Sequence, residues 1–243
     1  IEKYLNQMNI TVNCRFLCST SFDKLKNFCK AELNLLAYKD YTGMILENFF
    51  TETYPCRFFD KQFPVGSLET EQWLLDLGAL MEERETAQRI VEENKQVYEK
   101  RIERIRPTLT GKKLMIMTYN HDLDWILTAA LDAGMEIVKI GILNFSQDEG
   151  FRTRLHTDFP LEEDYDPEKR ESDMEKYAPD ILLSNYESGR AYDNCMTDTI
   201  PMCPDVGFFS GCNMVERWAA LMELNLQGEW KKDERLFAKY YTG

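Results

Sequence analysis

The stretch from residue 112 to 143, KKLMIMTYNHDLDWILTAALDAGMEIVKIGIL, constrains the fold more than any other part of the chain. Residues 112–119 and 135–143 are apolar enough to read as strands. The residues between them read as a helix whose last turn meets Gly134, a residue suited to the left-handed position that ends helices. Strands that alternate with helices of this length imply right-handed βαβ units and a parallel sheet. Two further runs, 179–185 and 199–203, continue the series as a third and fourth strand. A helix over 211–226 closes it, and the polar, acidic segment before residue 178 reads as loop and one helix.

The first half repeats the alternation. Residues 12–18 read as a strand, 21–32 as a short helix capped by Ser21, and 41–54 as a helix. The run LNLLAY, 33–38, is continuously apolar, as expected of a parallel strand covered on both faces. PCRFFD, 55–60, is strand-like. From Leu68 the helical signal persists to Arg106. Ser67 is the expected N-cap, with Glu69 and Glu71 near the positive end of the helix dipole. Trp73, Leu74, Leu77, Leu80 and Met81 form one apolar face. Ile90, Val91, Val97, Tyr98, Ile102 and Ile105 form a narrow stripe further on, and Pro107 is expected to stop the helix. The loop before Ser67, with Pro64 and Gly66, reads either as a plain connection or as a place where helix-terminal N–H groups receive an anion. The expected architecture is α/β: two Rossmann-like, doubly wound parallel-sheet domains, 1–108 and 109–243, joined by a long helix.

An apolar fraction of 44% is ample for a core, and the net charge of −13 argues against a nucleic-acid binder. No apolar run is long enough to span a membrane. Seven cysteines in a chain of this length, with no signal peptide, fit a reducing cytoplasmic compartment. The sequence opens on Ile1 in a helix-like segment, which reads as a piece of a longer protein.

Ligands of doubly wound sheets sit at the carboxyl ends of the strands. That singles out three loops, 119–124, 185–189 and 203–211. No phosphate-binding glycine motif and no nucleophile elbow occurs. With only His121 and His156 present, no His-rich metal site is expected. His121, beside Asp122 and Asp124 at a strand end, has the chemistry of an acid–base group. It also reads as an ordinary loop histidine. Asp122 or Asp124 is a candidate cap for the helix that follows. Tyr186 and Glu187 face the same end of the sheet. Cys203 lies between Pro201 and Pro204 at an expected strand end, where a thiol serves as a ligand, as a nucleophile or as a free side chain. Cys14 and Cys18, on a strand, would lie about 13 Å apart, too far to share one metal. They read as small apolar residues, and so do Cys29 and Cys56, whose spacing suggests no partner.

In order and spacing, several motifs resemble the nitrogenase component 1 type family: nitrogenase subunits, their cofactor-assembly scaffolds and light-independent protochlorophyllide reductase. LNLLAY followed by FPVGSLETEQWL resembles the family's strand, helix and apolar Pro/Gly loop. LTGKKLMIMTYNHDLDWILTAALDAGMEIVKIGI resembles its strand–helix–strand core. APDILLSN and IPMCPDVGFFSG resemble its later strand and its final loop. The resemblance implies three α/β domains per subunit, of which the last two are seen here. It also implies an intersubunit iron–sulfur cluster held upstream, so that no cofactor is expected in this part. The implied partners are a homologous component 1 subunit and an ATP-dependent iron–sulfur reductase.

Departures from nitrogenase are part of the same comparison. Where the α subunit carries its cofactor cysteine, this chain has Tyr38. Where it carries Gly-Gly-Leu-Arg, this chain has Tyr119, Asn120, His121 and Asp122. Its cofactor histidine has no clear match near Pro201, Met202 and Cys203. Bulk and an acid in place of glycine and a base crowd and repel an anionic metallocluster. The resemblance therefore implies an oxidoreductase subunit that does not itself reduce dinitrogen, with His121 and Glu187 as acid–base residues. Tyr38, Tyr119, Asn120 and Cys203 would line the ligand cavity, with no metal ligands. Two other readings remain: a non-catalytic scaffold or structural paralogue, and a Rossmann-type binder of a sugar nucleotide or small solute without iron.

Overall fold

A computed structural model describes residues 1–16, 18, 20–143, 151–185, 195–201 and 203–223. The chain divides into two compact units. One comprises Ile1–Tyr98 with Asp205–Phe209, the other Glu99–Pro204 with Ser210–Gly243.

The second unit carries the expected parallel sheet. Its strands are β1 (Lys113–Thr118), β2 (Glu136–Ile142), β3 (Leu161–Glu162), β4 (Ile181–Ser184) and β5 (Met196–Asp198), in the order β3-β2-β1-β4-β5 with every pairing parallel. Leu114 to Thr118 are all buried, which is why the central strand reads as an unbroken apolar run. Val138 is an extra residue in β2, since Leu114 faces Ile137 and Met115 faces Lys139.

The helices of this unit are numbered from the chain start, so the crossover from β1 to β2 is α6 (Asp124–Asp132). It ends as expected. Gly134 takes a φ of 81°, its N–H donates to the Leu131 carbonyl at 2.9 Å, and the Met135 N–H donates to Ala130 at 3.0 Å. This is the paired bonding of a Schellman motif. The acidic segment forms β3 and α7 (Arg170–Tyr177), and α8 (Ser210–Glu223) packs on α6. One strand is displaced from expectation. The fourth parallel strand is Met196–Asp198 rather than 199–203, because Pro201 has no N–H for a ladder while Met196 to Asp198 pair with Ile181 to Leu183.

The first unit holds α1 (Glu2–Gln7), α2 (Phe22–Leu25), α3 (Tyr41–Thr53), α4 (Ser67–Leu80) and the first part of α5 (Arg84–Leu109). Ser21 caps α2 as expected, accepting the Lys24 N–H. The expected strands 33–38 and 55–60 do not form a ladder. They meet at one parallel bridge, Asn34 to Phe58, where the Asn34 N–H donates to Arg57 O at 2.8 Å and the Phe59 N–H to Asn34 O at 2.9 Å. Leu35, Leu36 and Ala37 are only half-buried and Tyr38 is exposed, so the apolar run is not covered on both faces. Residues 12–18 are irregular where described, with a turn at Cys18, and Cys18 is exposed rather than buried.

The long helix expected over 68–106 is two helices. Glu82, at a φ of 61°, breaks them. Gly66, not Ser67, precedes the first helical residue of α4, and the buried Thr70 hydroxyl donates to its carbonyl at 2.6 Å. Pro107 lies inside α5, two residues before its end, so it does not stop the helix where expected. The α5 stripe buries Ile90, Val91, Tyr98, Ile102 and Ile105, but Val97 is 47% exposed. The core of the first unit gathers Tyr4, Leu5, Met8, Phe59, Trp73, Leu74, Leu77, Ile90 and Val91. The Pro64–Gly66 loop is an ordinary connection: the Gly66 N–H donates to Gly207 O and the Gly207 N–H to Pro64 O, at 3.0 and 2.8 Å. The Val65 N–H is taken by the Glu69 carboxylate.

Candidate functional site

In a sheet ordered 3-2-1-4-5 the chain reverses direction of winding between β1 and β4. The loops leaving their carboxyl ends form the crevice of such folds. Two polar residues mark this point, Thr118 ending β1 and Asn185 following β4. The fully buried Thr118 hydroxyl accepts the Asn120 N–H at 2.9 Å and donates to the Asn185 amide oxygen. The Asn185 amide nitrogen donates to the Ile200 carbonyl at 3.0 Å. This relay ties together the segments that follow β1, β4 and β5.

The loop after β1 is held from its other side as well. The Arg152 N–H donates to the His121 carbonyl at 3.3 Å. Asp124, the first residue of α6 and itself buried, accepts from the Thr153 hydroxyl at 2.5 Å and from the Arg154 N–H at 2.8 Å. Its carboxylate therefore pins the 152–155 segment instead of capping its own helix. Leu123 is the N-cap of α6 and no side chain caps it, so neither aspartate takes the expected capping role. Part of Asp122 is exposed, yet burial first and the Asp124 carboxylate second push its carboxyl above the ordinary aspartate range.

Within this fixed loop His121 is half-buried, and both ring nitrogens are shielded from solvent without a hydrogen-bond partner. A neutral imidazole has one donor and one acceptor, and leaving such atoms buried and unpaired costs about 1–3 kcal/mol each. Tyr119, beside it, packs on the sheet cluster of Met115, Met117, Leu143 and Tyr165.

The structure thus gathers Tyr119, Asn120 and His121 on one rigid loop. Cys203 belongs to the same unit and is exposed. Tyr38 belongs to the first unit and is 45% exposed. Glu187, with Tyr186, lies outside the described residues. Among the described residues no three His, Cys, Asp or Glu side chains stand together as a metal site. None of the described helices is long and apolar enough to cross a membrane. Thr118 and Asn185 were not singled out by sequence. The available signal was a polar residue closing each of two neighbouring apolar strands.

A sequence profile of the nitrogenase component 1 type oxidoreductases matches residues 1–223. The chain belongs to this family. Two curated relatives are the nitrogenase molybdenum-iron protein alpha chains of Methanothermobacter marburgensis and Methanothermobacter thermautotrophicus. They are 25% and 24% identical over 192 and 193 residues, each match covering 76% of this chain and 39% of the relative. The chain thus spans well under half the length of these family members. Among solved structures, nitrogenase Cp1 at pH 6.5 superimposes with a TM-score of 0.60 at 13% identity. It is covered over 54% of its own length and covers 93% of this chain. That likeness establishes the fold, and the family to which the chain belongs is one of oxidoreductases.

Proposed function

We propose that this chain serves in a component 1 type subunit that takes low-potential electrons from an ATP-dependent iron–sulfur reductase and reduces a substrate other than dinitrogen. His121 is the proton donor in this reading. The observation that carries it is the unpartnered imidazole, held on a loop whose backbone is fixed from both sides at the switch point of the sheet. A preorganised group with no partner of its own is suited to meet one on a substrate. Tyr119 and Asn120, which precede it, are ligand-binding residues in this reading, with Cys203 of the same unit as a further one and Glu187 as a second acid–base residue. The family match and the identity to molybdenum-iron alpha chains support the redox class. Electrons enter, in this reading, through an iron–sulfur cluster held outside this stretch of chain, where a homologous subunit also docks.

The residues at the end of β1 do not fit an anionic iron–molybdenum cluster. Tyr119 fills space against the sheet core, and the neighbouring carboxyls of Asp122 and Asp124 repel negative charge. The same misfit favours, as a second reading, a paralogue with a structural or scaffold role.

The test is anaerobic purification of the complete gene product, with iron and sulfide assays and low-temperature EPR after dithionite. Reductase-driven turnover of the wild type is then compared with that of His121→Phe. Reducible iron is expected, with turnover lowered about 100-fold or more in the variant and folding stability unchanged or raised. Iron-free protein would overturn the redox reading. Reducible iron with turnover indifferent to His121→Phe would remove His121 as proton donor. Reducible iron without turnover on any substrate would leave the scaffold reading.

A further inference from the structure

Away from the sheet, the first unit brings two distant cysteines together. Cys29 lies in the 3₁₀ turn Phe28–Lys30, and Cys56 lies just before the residues that bridge to Asn34. The Cys56 thiol donates to the Cys29 sulfur at 3.8 Å. Both are free thiols; Cys56 is buried and Cys29 half-buried. Among the described residues no third His, Cys, Asp or Glu joins them to make a metal site.

We propose that Cys29 and Cys56 form a reversible disulfide by exchange with a small-molecule disulfide of the glutathione type, making the pair a redox-modification site of the first unit. The sulfurs need to close by about 1.8 Å to reach a bond of about 2.0 Å. Their two stretches are already aligned by the Asn34–Phe58 bridge and its hydrogen bonds at 2.8 and 2.9 Å. Cys29, the more accessible sulfur, loses its proton to solvent and attacks one sulfur of oxidised glutathione. A mixed disulfide forms and one glutathione thiolate leaves. Cys56 then loses its proton and attacks the Cys29 sulfur, releasing the second glutathione. The two cysteines are oxidised by two electrons in all, and one glutathione disulfide is reduced to two thiols. Burial, and next the hydrogen bond with Cys29, push the Cys56 thiol up and lower its thiolate fraction, so Cys29 opens the exchange; the second step is helped by its being intramolecular, with the sulfurs already 3.8 Å apart. The bond would close a loop containing all of α3, beside the Asn34–Phe58 bridge.

The test uses the full chain, reduced and then equilibrated in glutathione buffers of rising oxidised fraction, quenched in acid, alkylated, digested and mapped by mass spectrometry. A Cys29–Cys56 linked peptide is expected, with loss of two of the seven alkylated thiols, while the exposed Cys18 and Cys203 are still mostly alkylated. Cys29→Ser should abolish the link and leave Cys56 alkylated. Cys56→Ser should accumulate glutathione on Cys29. If Cys29 and Cys56 stay alkylated after Cys18 and Cys203 have been glutathionylated, or if either links to another cysteine, the proposal is overturned. The wild-type map decides this even if a variant fails to fold.

Discussion

Gly211→Ala should destabilise the second unit, and the reason lies in one distance. Gly211 is the second residue of α8, where it passes α6. A Cβ built on it falls 1.9 Å from the Trp125 carbonyl oxygen and 2.9 Å from the Ala129 Cβ. Carbon and carbonyl oxygen approach no closer than about 3.3 Å in favourable contacts, so the helices must part by roughly 1.4 Å. The obstacle is backbone, which has no rotamer to change. Parting the helices also loosens Ile126, Leu127, Val215 and Trp218, all fully buried. Overpacking of this kind costs about 1–3 kcal/mol and occasionally more, while alanine returns at most about 1 kcal/mol of helix propensity. With the clash at backbone, the upper end applies and the net loss is about 2 kcal/mol. For a chain of this size that lowers the melting temperature by about 4–8 °C. The assay is urea unfolding followed by tryptophan fluorescence, with Trp125 and Trp218 as reporters. Gly111→Ala is the companion variant, since Gly111 has a φ of 73° and no atoms within 4 Å of a new Cβ. It isolates the strain of a left-handed residue, about 1–2 kcal/mol. A Gly211→Ala protein as stable as wild type would refute the close helix contact.

Thr118→Val should cost about 1–3 kcal/mol, because it strips the Asn185 amide oxygen of its donor and the Asn120 N–H of its acceptor. Amide exchange should rise first in residues 119–123. Two carboxyls should show opposite pH dependence. Glu216 is held below the ordinary range, chiefly by its hydrogen bond from Arg101. Its contribution is present above the unfolded pKa and is lost as pH falls through the folded one, so the destabilisation by Glu216→Gln should be full at neutral pH and fade in acid. Asp122 is raised, by burial and then by Asp124, so it favours folding only below the unfolded pKa near about 4. Asp122→Asn should therefore stabilise at neutral pH, with the gain vanishing in acid. Unfolding midpoints measured across pH check both, and parallel curves would contradict the assignments.

The strand–helix–strand core of the second unit was legible because several signals agree there. Apolar runs fix β1 and β2, and Gly134 supplies the left-handed residue that the Schellman ending needs. Long-range pairing was not legible. Nothing local to Cys29 points to Cys56, and nothing in LNLLAY says that it would meet its neighbour at Asn34 alone. The apolar periodicity that runs through Glu82 hid the break between α4 and α5, since a left-handed turn leaves the hydrophobic pattern on both sides intact. At the site, the loop carrying His121 was found from its place after a strand. Its fixation was not, because the groups that hold it, Thr118, Asn185 and the 152–155 segment, belong to separate stretches that only the sheet order brings together.

Residues 205–209 belong to the first unit, although more than a third of the chain separates them from the rest of it. The Gly207 backbone pairs with Pro64 and Gly66, and the Phe208 ring stands 6.2 Å from that of Tyr98. On a ribosome adding about 5–20 residues per second, the first unit emerges roughly ten seconds before its last piece does. During that interval the Pro64 carbonyl and Gly66 N–H have only water as partners, and Tyr98 lacks its aromatic neighbour. The unit that is made first is therefore the one that must be finished late. Chains arrested before Phe208 should be more open to proteolysis around Gly66 than chains arrested after α8 has left the exit tunnel.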